Sequence, residues 1–201
     1  MTKTKLDICN MALAILGQAD LSSLTEDNQR AILCNQYYDI VRQQLLRAHD
    51  WNFSRGKDQL TLIREDEDAR VERYVYNKPA KCLFVTRVFN DGMQFFLKDN
   101  LFHLEYDMDL KKEVIRTGLV DAWAEYILDI EDTSIFDSQF IEALSAGIAT
   151  KIAMSLTGAT NLYQLAFQTY QYALDNARYS NKVEKLEVAE FENPFLEERE
   201  K

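Results

Sequence analysis

The chain is poor in the residues that break regular structure, with six glycines and two prolines among 201 residues. Glycine supplies positive φ and proline fixes φ while removing a donor, so their scarcity argues against long irregular loops. It predicts a backbone of mostly regular elements, with helices dominating. Cysteine is scarce as well: Cys9, Cys34 and Cys82 are odd in number, widely spaced and without a C-x-x-C pair. That excludes a regular disulfide framework and fits synthesis in a reducing, intracellular compartment. His49 and His103 are the only two histidines, too few for a His-rich metal site, and no zinc site is expected. No run approaches about 18 uninterrupted apolar residues, so no membrane span is expected. The first residues carry no signal-peptide cleavage pattern.

Positive charge is also short: 23 Lys and Arg against 33 Asp and Glu leave a formal net charge of −10. Capture of nucleic acid without sequence preference needs cations that exchange counterions with phosphate, so a sequence-tolerant nucleic-acid-binding module is disfavoured. An acidic surplus serves solubility, and it also suits a passage along which DNA must slide without sticking.

What is present is helical periodicity at both ends and β pattern between. Leu6, Ile8, Cys9, Ala12, Leu13, Ile15 and Leu16 mix spacings of three and four and predict a short amphipathic helix ending at Gly17. A second pattern runs from about Asp27 to Asp50, with Ala31, Cys34, Tyr38, Val41, Leu45 and Ala48 on one face. From about Leu60 to Ile130 the runs are rich in β-branched and aromatic residues: 60–63, 73–76, 82–89, 101–106, 114–117 and 123–128. Asn90-Asp91-Gly92 predicts a tight turn, and the acidic stretch from Arg64 to Arg73 a solvated loop tip. Helical periodicity returns near Asp137. Phe140, Leu144, Ile148, Ile152 and Leu156 recur every fourth residue, with small residues between them that let another helix approach closely. A last helix runs from Asn161 to about Tyr179.

The expected fold class is therefore α+β: an antiparallel helical bundle of two N-terminal and two C-terminal helices, an inserted antiparallel β-rich subdomain, and an extended C-terminal tail. The boundaries predicted are 1–58, 59–132, 133–182 and 183–201. The last segment carries seven Glu against two Lys and one Arg. Pro194 prevents an uninterrupted helix there. A segment like this cannot bury enough apolar area by itself, so it is expected either to be disordered or to lie on a partner, and Phe191, Pro194, Phe195 and Leu196 would be wasted in a merely solubilising tail.

Residues that could carry chemistry have plainer explanations. Cys9 and Cys34 fall on apolar helical faces, where a buried thiol behaves as a small hydrophobe. His49 sits near a helix C-terminus, which favours a cation. Glu105, Asp107, Asp109 and Glu113 could be drawn together as a carboxylate cluster for a divalent metal or glycoside hydrolysis, but their adjacency reads as a solvated turn. No Gly-rich phosphate loop, nucleophile elbow or His-Glu-x-x-His pattern occurs. No catalytic residue, cofactor or metal is expected.

A sharper reading comes from particular residues. Ile8-Cys9-Asn10-Met11-Ala12-Leu13 leads to Leu16-Gly17, then Ser23-Leu24-x-Glu26-Asp27, then Cys34, Tyr37, Arg42, Leu45-Leu46-Arg47 and His49-x-Trp51-Asn52-Phe53. This pattern resembles the tail tubular protein A family, the head-to-tail adaptors of podoviruses. The resemblance continues through Tyr76, Pro79, Cys82-Leu83 and Val85, then Phe136-Asp137, Phe140, Glu142-Ala143-Leu144, Leu156-Thr157 and Ala177-Arg178, to about residue 180. Asp50 stands where the family pattern has proline, and Asn77-Lys78 replaces Pro-Leu before Pro79. The first departure bears on where helix two ends.

The resemblance implies a virion structural protein, made in the host cell cytoplasm, that is not an enzyme. Twelve copies would form a ring, docking its helical part under the portal protein and facing its β-rich part to the tail nozzle protein. DNA would pass through the bore without sequence-specific binding. Phe191, Pro194, Phe195 and Leu196 would then form the portal-binding arm, and Trp51 and Phe53 would anchor the junction between helix two and the β-rich part. Two rivals are a completion factor elsewhere on the same axis and a tail-associated hydrolase of host cell-surface glycan using Asp107 or Asp109. A regulatory DNA binder would need a basic recognition helix, and the polar faces of the best helices are neutral or acidic.

Overall fold

A computed structural model describes residues 3–66, 72–90 and 102–191, with side chains placed as far as Tyr179. Among the described residues it is a mixed α+β protein with four α-helices and two antiparallel sheets. The chain forms two compact units: residues 1–53 together with 131–201, and residues 54–130.

The first unit holds α1 (Lys5–Ile15), α2 (Gln29–Ala48), α3 (Ser138–Thr157) and α4 (Thr160–Phe191). Each start has a local cause. Thr4 and Asp7 close a capping box on α1, the Asn28 side chain accepts from the Ala31 amide, and Asp137 accepts from the Phe140 amide at 2.7 Å. The ends follow the chemistry of glycine. Gly17 takes φ +66°, the Gln18 amide donates to the Leu13 carbonyl and the Gly17 amide to that of Ala14, a Schellman motif. Gly158, at φ +64°, ends α3 and leaves one residue before α4.

Helix α3 is the centre of this unit, packing on α1, α2 and α4, while α1 and α2 scarcely touch. Phe140, Ala143, Leu144, Ala146, Ile148, Ala149, Ile152 and Ala153 are all fully buried. The small residues of α3 are thus used inside the chain: a Cβ on Gly147 would meet Val41 Cγ1 at 2.8 Å and the Tyr170 ring at 3.2 Å. By length and mean hydropathy α3 could cross a membrane, but its apolar residues are the core of this unit.

The second unit contains β1 (Arg55–Gln59), β2 (Leu62–Glu65), β3 (Tyr74–Asn77), β4 (Cys82–Phe89), β5 (Phe102–Asp107), β6 (Lys112–Thr117) and β7 (Trp123–Leu128). One sheet has the order β1-β7-β4 and the other β2-β3-β6-β5. Leu60, Tyr76, Cys82, Val85, Val88, Ile115, Leu119, Ala122, Ala124 and Tyr126 form one core drawing on both sheets. In the second sheet side chains alternate by face. The row Leu62, Tyr76, Ile115, Leu104 lies on one face, and Arg64, Val75, Arg116, His103 on the other.

Three expectations are corrected. The polar stretch after Phe53 is a strand, β1, so the second unit begins at Ser54 and not after residue 58. It pairs with β7 because Gly56 sits opposite Tyr126, whose ring occupies the space a Cβ would need, and Tyr126 Oη donates to Asp58 at 2.5 Å. Arg64 and Glu65 belong to β2 and not to a loop tip. Helix α4 continues to Phe191, so the segment from Val183 to Phe191 is helical and not extended. Nothing in that stretch breaks a helix, the nearest proline being Pro194. Pro194, Phe195, Leu196 and most of the Asn90-Asp91-Gly92 turn lie outside the described residues.

Candidate functional site

The specific part of the sequence pattern acquires a structural reason. Helix α2 stops at Ala48, and His49 takes an extended cap with φ −154°. Trp51 follows, fully buried, its indole N–H donating to the Leu45 carbonyl at 2.9 Å. His49 meets the indole edge-on at 5.2 Å, Phe140 at 5.1 Å, and Phe53 packs on Phe136 and Phe140. The His-x-Trp-Asn-Phe run therefore pins the end of α2 to the start of α3. Asn10 has a similar duty: its side-chain amide both donates to the Leu21 carbonyl and accepts from the Leu21 amide. Glu26 accepts from the Ser22 and Ser23 amides and from Asn28, which fixes the loop before α2.

The chemical candidates are engaged elsewhere. Cys9 and Cys34 are both fully buried. The hydrogen bond with Cys34, together with burial, pushes the Cys9 thiol well above its ordinary pKa, so it stays protonated and unreactive. Asp107 accepts from the Asp109 and Leu110 amides in its own turn and pairs with Arg64 at 2.8 Å. These contacts, the Leu110 amide first, hold its carboxyl below the usual range, the wrong direction for a general acid. Glu105 pairs with Arg116 and lies 3.5 Å from His103 Nε2, and Glu113 pairs with Lys78, so these two carboxylates face different partners. Among the described residues no three His, Cys, Asp or Glu side chains converge as a metal site.

Two features were not visible in sequence. The outer face of the second sheet carries an ionic network in which Asp66 bridges Arg64 at 2.9 Å and Arg116 at 2.6 Å, while His103 Nδ1 lies 2.5 Å from Glu72. Cross-strand register builds it, and register cannot be read from composition. The second feature is a groove of about 340 Å³ among α2, α3 and α4, lined chiefly by Val41, Lys151, Met154, Tyr163, Phe167 and Tyr170. The Tyr163 and Phe167 rings stack 6.3 Å apart along it. Their i, i+4 spacing was the available signal.

No family model matches the chain, and no curated protein matches it.

Proposed function

We propose that the chain is the adaptor subunit of a podovirus neck: a virion structural protein whose copies form a dodecameric ring joining portal to tail nozzle, with DNA passing through its bore. The observation that carries this reading is the run from Leu16-Gly17 to His49-x-Trp51-Asn52-Phe53, the part of the sequence that most resembles the tail tubular protein A family. Within it Gly17 is a cap, Glu26 a loop tie, and Trp51 and Phe53 aromatic pins of the helical unit. Insertion of an all-β unit into a helical one supports the same reading. In it the four helices form an antiparallel bundle that docks under the portal, and the strand unit faces the nozzle.

Phe191, Pro194, Phe195 and Leu196 are the portal-engaging residues of this proposal. Fully burying one large apolar side chain contributes about 1.5–3 kcal/mol before ordering costs, so a few such anchors can hold a subunit to its partner. Trp51 and Phe53 are structural anchors. The acidic surplus keeps transiting DNA from sticking.

The test is electron microscopy of the purified chain mixed with a podovirus portal protein from the same source. A ring capping the portal is expected, and a chain lacking residues 192–201 should leave the portal bare while still folding. Portal left uncapped by the full chain would reject the proposal.

A further inference from the structure

Helix α4 is apolar on more than one side. Its inward face, Ala166, Ala173, Leu174 and Ala177, is buried in the helical unit. A second stripe faces outward: Leu165, Tyr172 and Tyr179 recur every seventh residue and are 51%, 69% and 71% exposed. Residues seven apart differ by about 20° around a helix and lie about 10 Å apart along it, so the three form a straight ridge about 21 Å long. Tyrosine is the residue type that protein interfaces favour, since its ring supplies apolar area and its hydroxyl tolerates water. Polar Gln168, Thr169, Asp175 and Asn176 stand between the three residues, so the stripe offers three separate anchors and not one continuous apolar patch.

The groove described above lies on the other side of the same helix. Tyr163 and Phe167 are about 140–180° around α4 from Leu165 and Tyr172. Ridge and groove belong to one compact unit and point in opposite directions, so they cannot meet within one chain. The groove walls on α3 and α4 each run for about 10 Å, from Gly147 to Met154 and from Tyr163 to Tyr170, the spacing of neighbouring ridge residues.

Charge adds to this common spacing. Lys151 is exposed at the groove and makes no ion pair among the described residues. Asp175, beside Tyr172 on the ridge, has a side chain 72% exposed, and its partner Arg178 is 3.9 Å away and also donates to the Ala48 carbonyl.

We infer that the outer stripe of α4 on one copy docks on the α2–α3–α4 groove of a second copy, Tyr172 and Tyr179 entering the groove and Asp175 between them lying against Lys151, with Leu165 beyond its end. The contact uses two different faces of each copy, so it is head-to-tail, and a rotation that closes gives a ring. This rests on the ring proposed above and names the surfaces that would build it.

The test is disulfide trapping in the full chain carrying Met154→Cys and Tyr172→Cys, run with and without the portal protein, alongside microscopy of the same samples. The native thiols are buried, so the introduced pair reports the contact. A ladder of linked copies is expected, absent from either single variant. Tyr172→Ser should lower self-association about tenfold or more, as loss of a central aromatic anchor does. Lys151→Glu and Asp175→Lys should each weaken association, and the two combined should restore it. Rings without a ladder would overturn this contact and leave the adaptor reading standing. A ladder without rings would support the contact and count against that reading. Linking by Tyr172→Cys alone would mean a symmetric contact, which also overturns the inference.

Discussion

The two units of this chain solve the problem of a small core in different ways. The helical unit buries a continuous apolar interior around α3, pins it with Trp51, Phe53, Phe136 and Phe140, and leaves apolar and aromatic side chains on its surface. The strand unit has a core of aliphatic and small residues around Tyr76 and Tyr126, also exposes apolar side chains such as Phe84, Tyr106 and Met108, and carries paired charges on one face of one sheet: Arg64 and Arg116 with Asp66, Glu105 and Asp107. The first unit is held chiefly by packing, its acid-sensitive contacts being the local turn and cap carboxylates Asp7, Glu26 and Asp132, while the second adds a cross-strand ionic face that salt screens.

The largest expected effect is in the helical unit. Trp51→Ala should cost about 3–5 kcal/mol, as removal of a fully buried large aromatic does, read as a lowered denaturant midpoint for the helical signal. A cost under about 1 kcal/mol would mean that the aromatic pin is not what holds α2 to α3. Next comes the strand unit's tightest point. Gly56→Val should cost about 1–3 kcal/mol by overpacking against the Tyr126 ring, seen in the thermal melt, and Tyr126→Leu in the same chain should recover part of it. Loss of the α2 cap in Asn28→Ala should cost about 1 kcal/mol, measured in the same way, with no change in the strand signal.

The smallest effects concern the ionic face. Arg116→Met should change stability by about 1 kcal/mol or less, because partly exposed pairs are screened. Its diagnostic is dependence on conditions. Glu105 is held below the usual carboxylate range chiefly by Arg116, Asp66 chiefly by Arg64, and Asp107 chiefly by the Leu110 amide. A carboxylate lowered in the folded state contributes stability that is complete above its unfolded pKa and is lost as pH falls through the folded value. The strand unit should therefore weaken on acidification below about pH 4, and Arg116→Met should blunt that loss. Asp7, Glu26 and Asp132 give the helical unit an acid response of its own, so the discriminating readout is salt: an equal loss of stability in both units on adding salt would break the comparison.

Much of this was legible beforehand. The α1 pattern ending at Gly17 and the four-residue repeat of α3 follow from periodicity and glycine chemistry, and the strands from Cys82 and Trp123 from their β-branched and aromatic residues. What escaped was set by partners distant in sequence. Arg55-Gly56-Lys57-Asp58-Gln59 lacks any β signature and becomes a strand only because β7 offers Tyr126 across from Gly56. Arg64 and Arg116 meet Asp66 only through the register of β2, β3 and β6. Val183 to Phe191 read as tail because its apolar residues are sparse, yet uninterrupted helix formers carry α4 onward to Phe191. The groove and ridge of α4 were divided between patterns that a single amphipathic face does not describe.

The account stands or falls on assembly. Native mass spectrometry of the chain titrated into purified portal rings measures it most directly. A single complex with one copy per portal subunit, reached without intermediate stoichiometries dominating at saturation, is the result expected of an adaptor ring. A portal mass unchanged at saturating protein would contradict it.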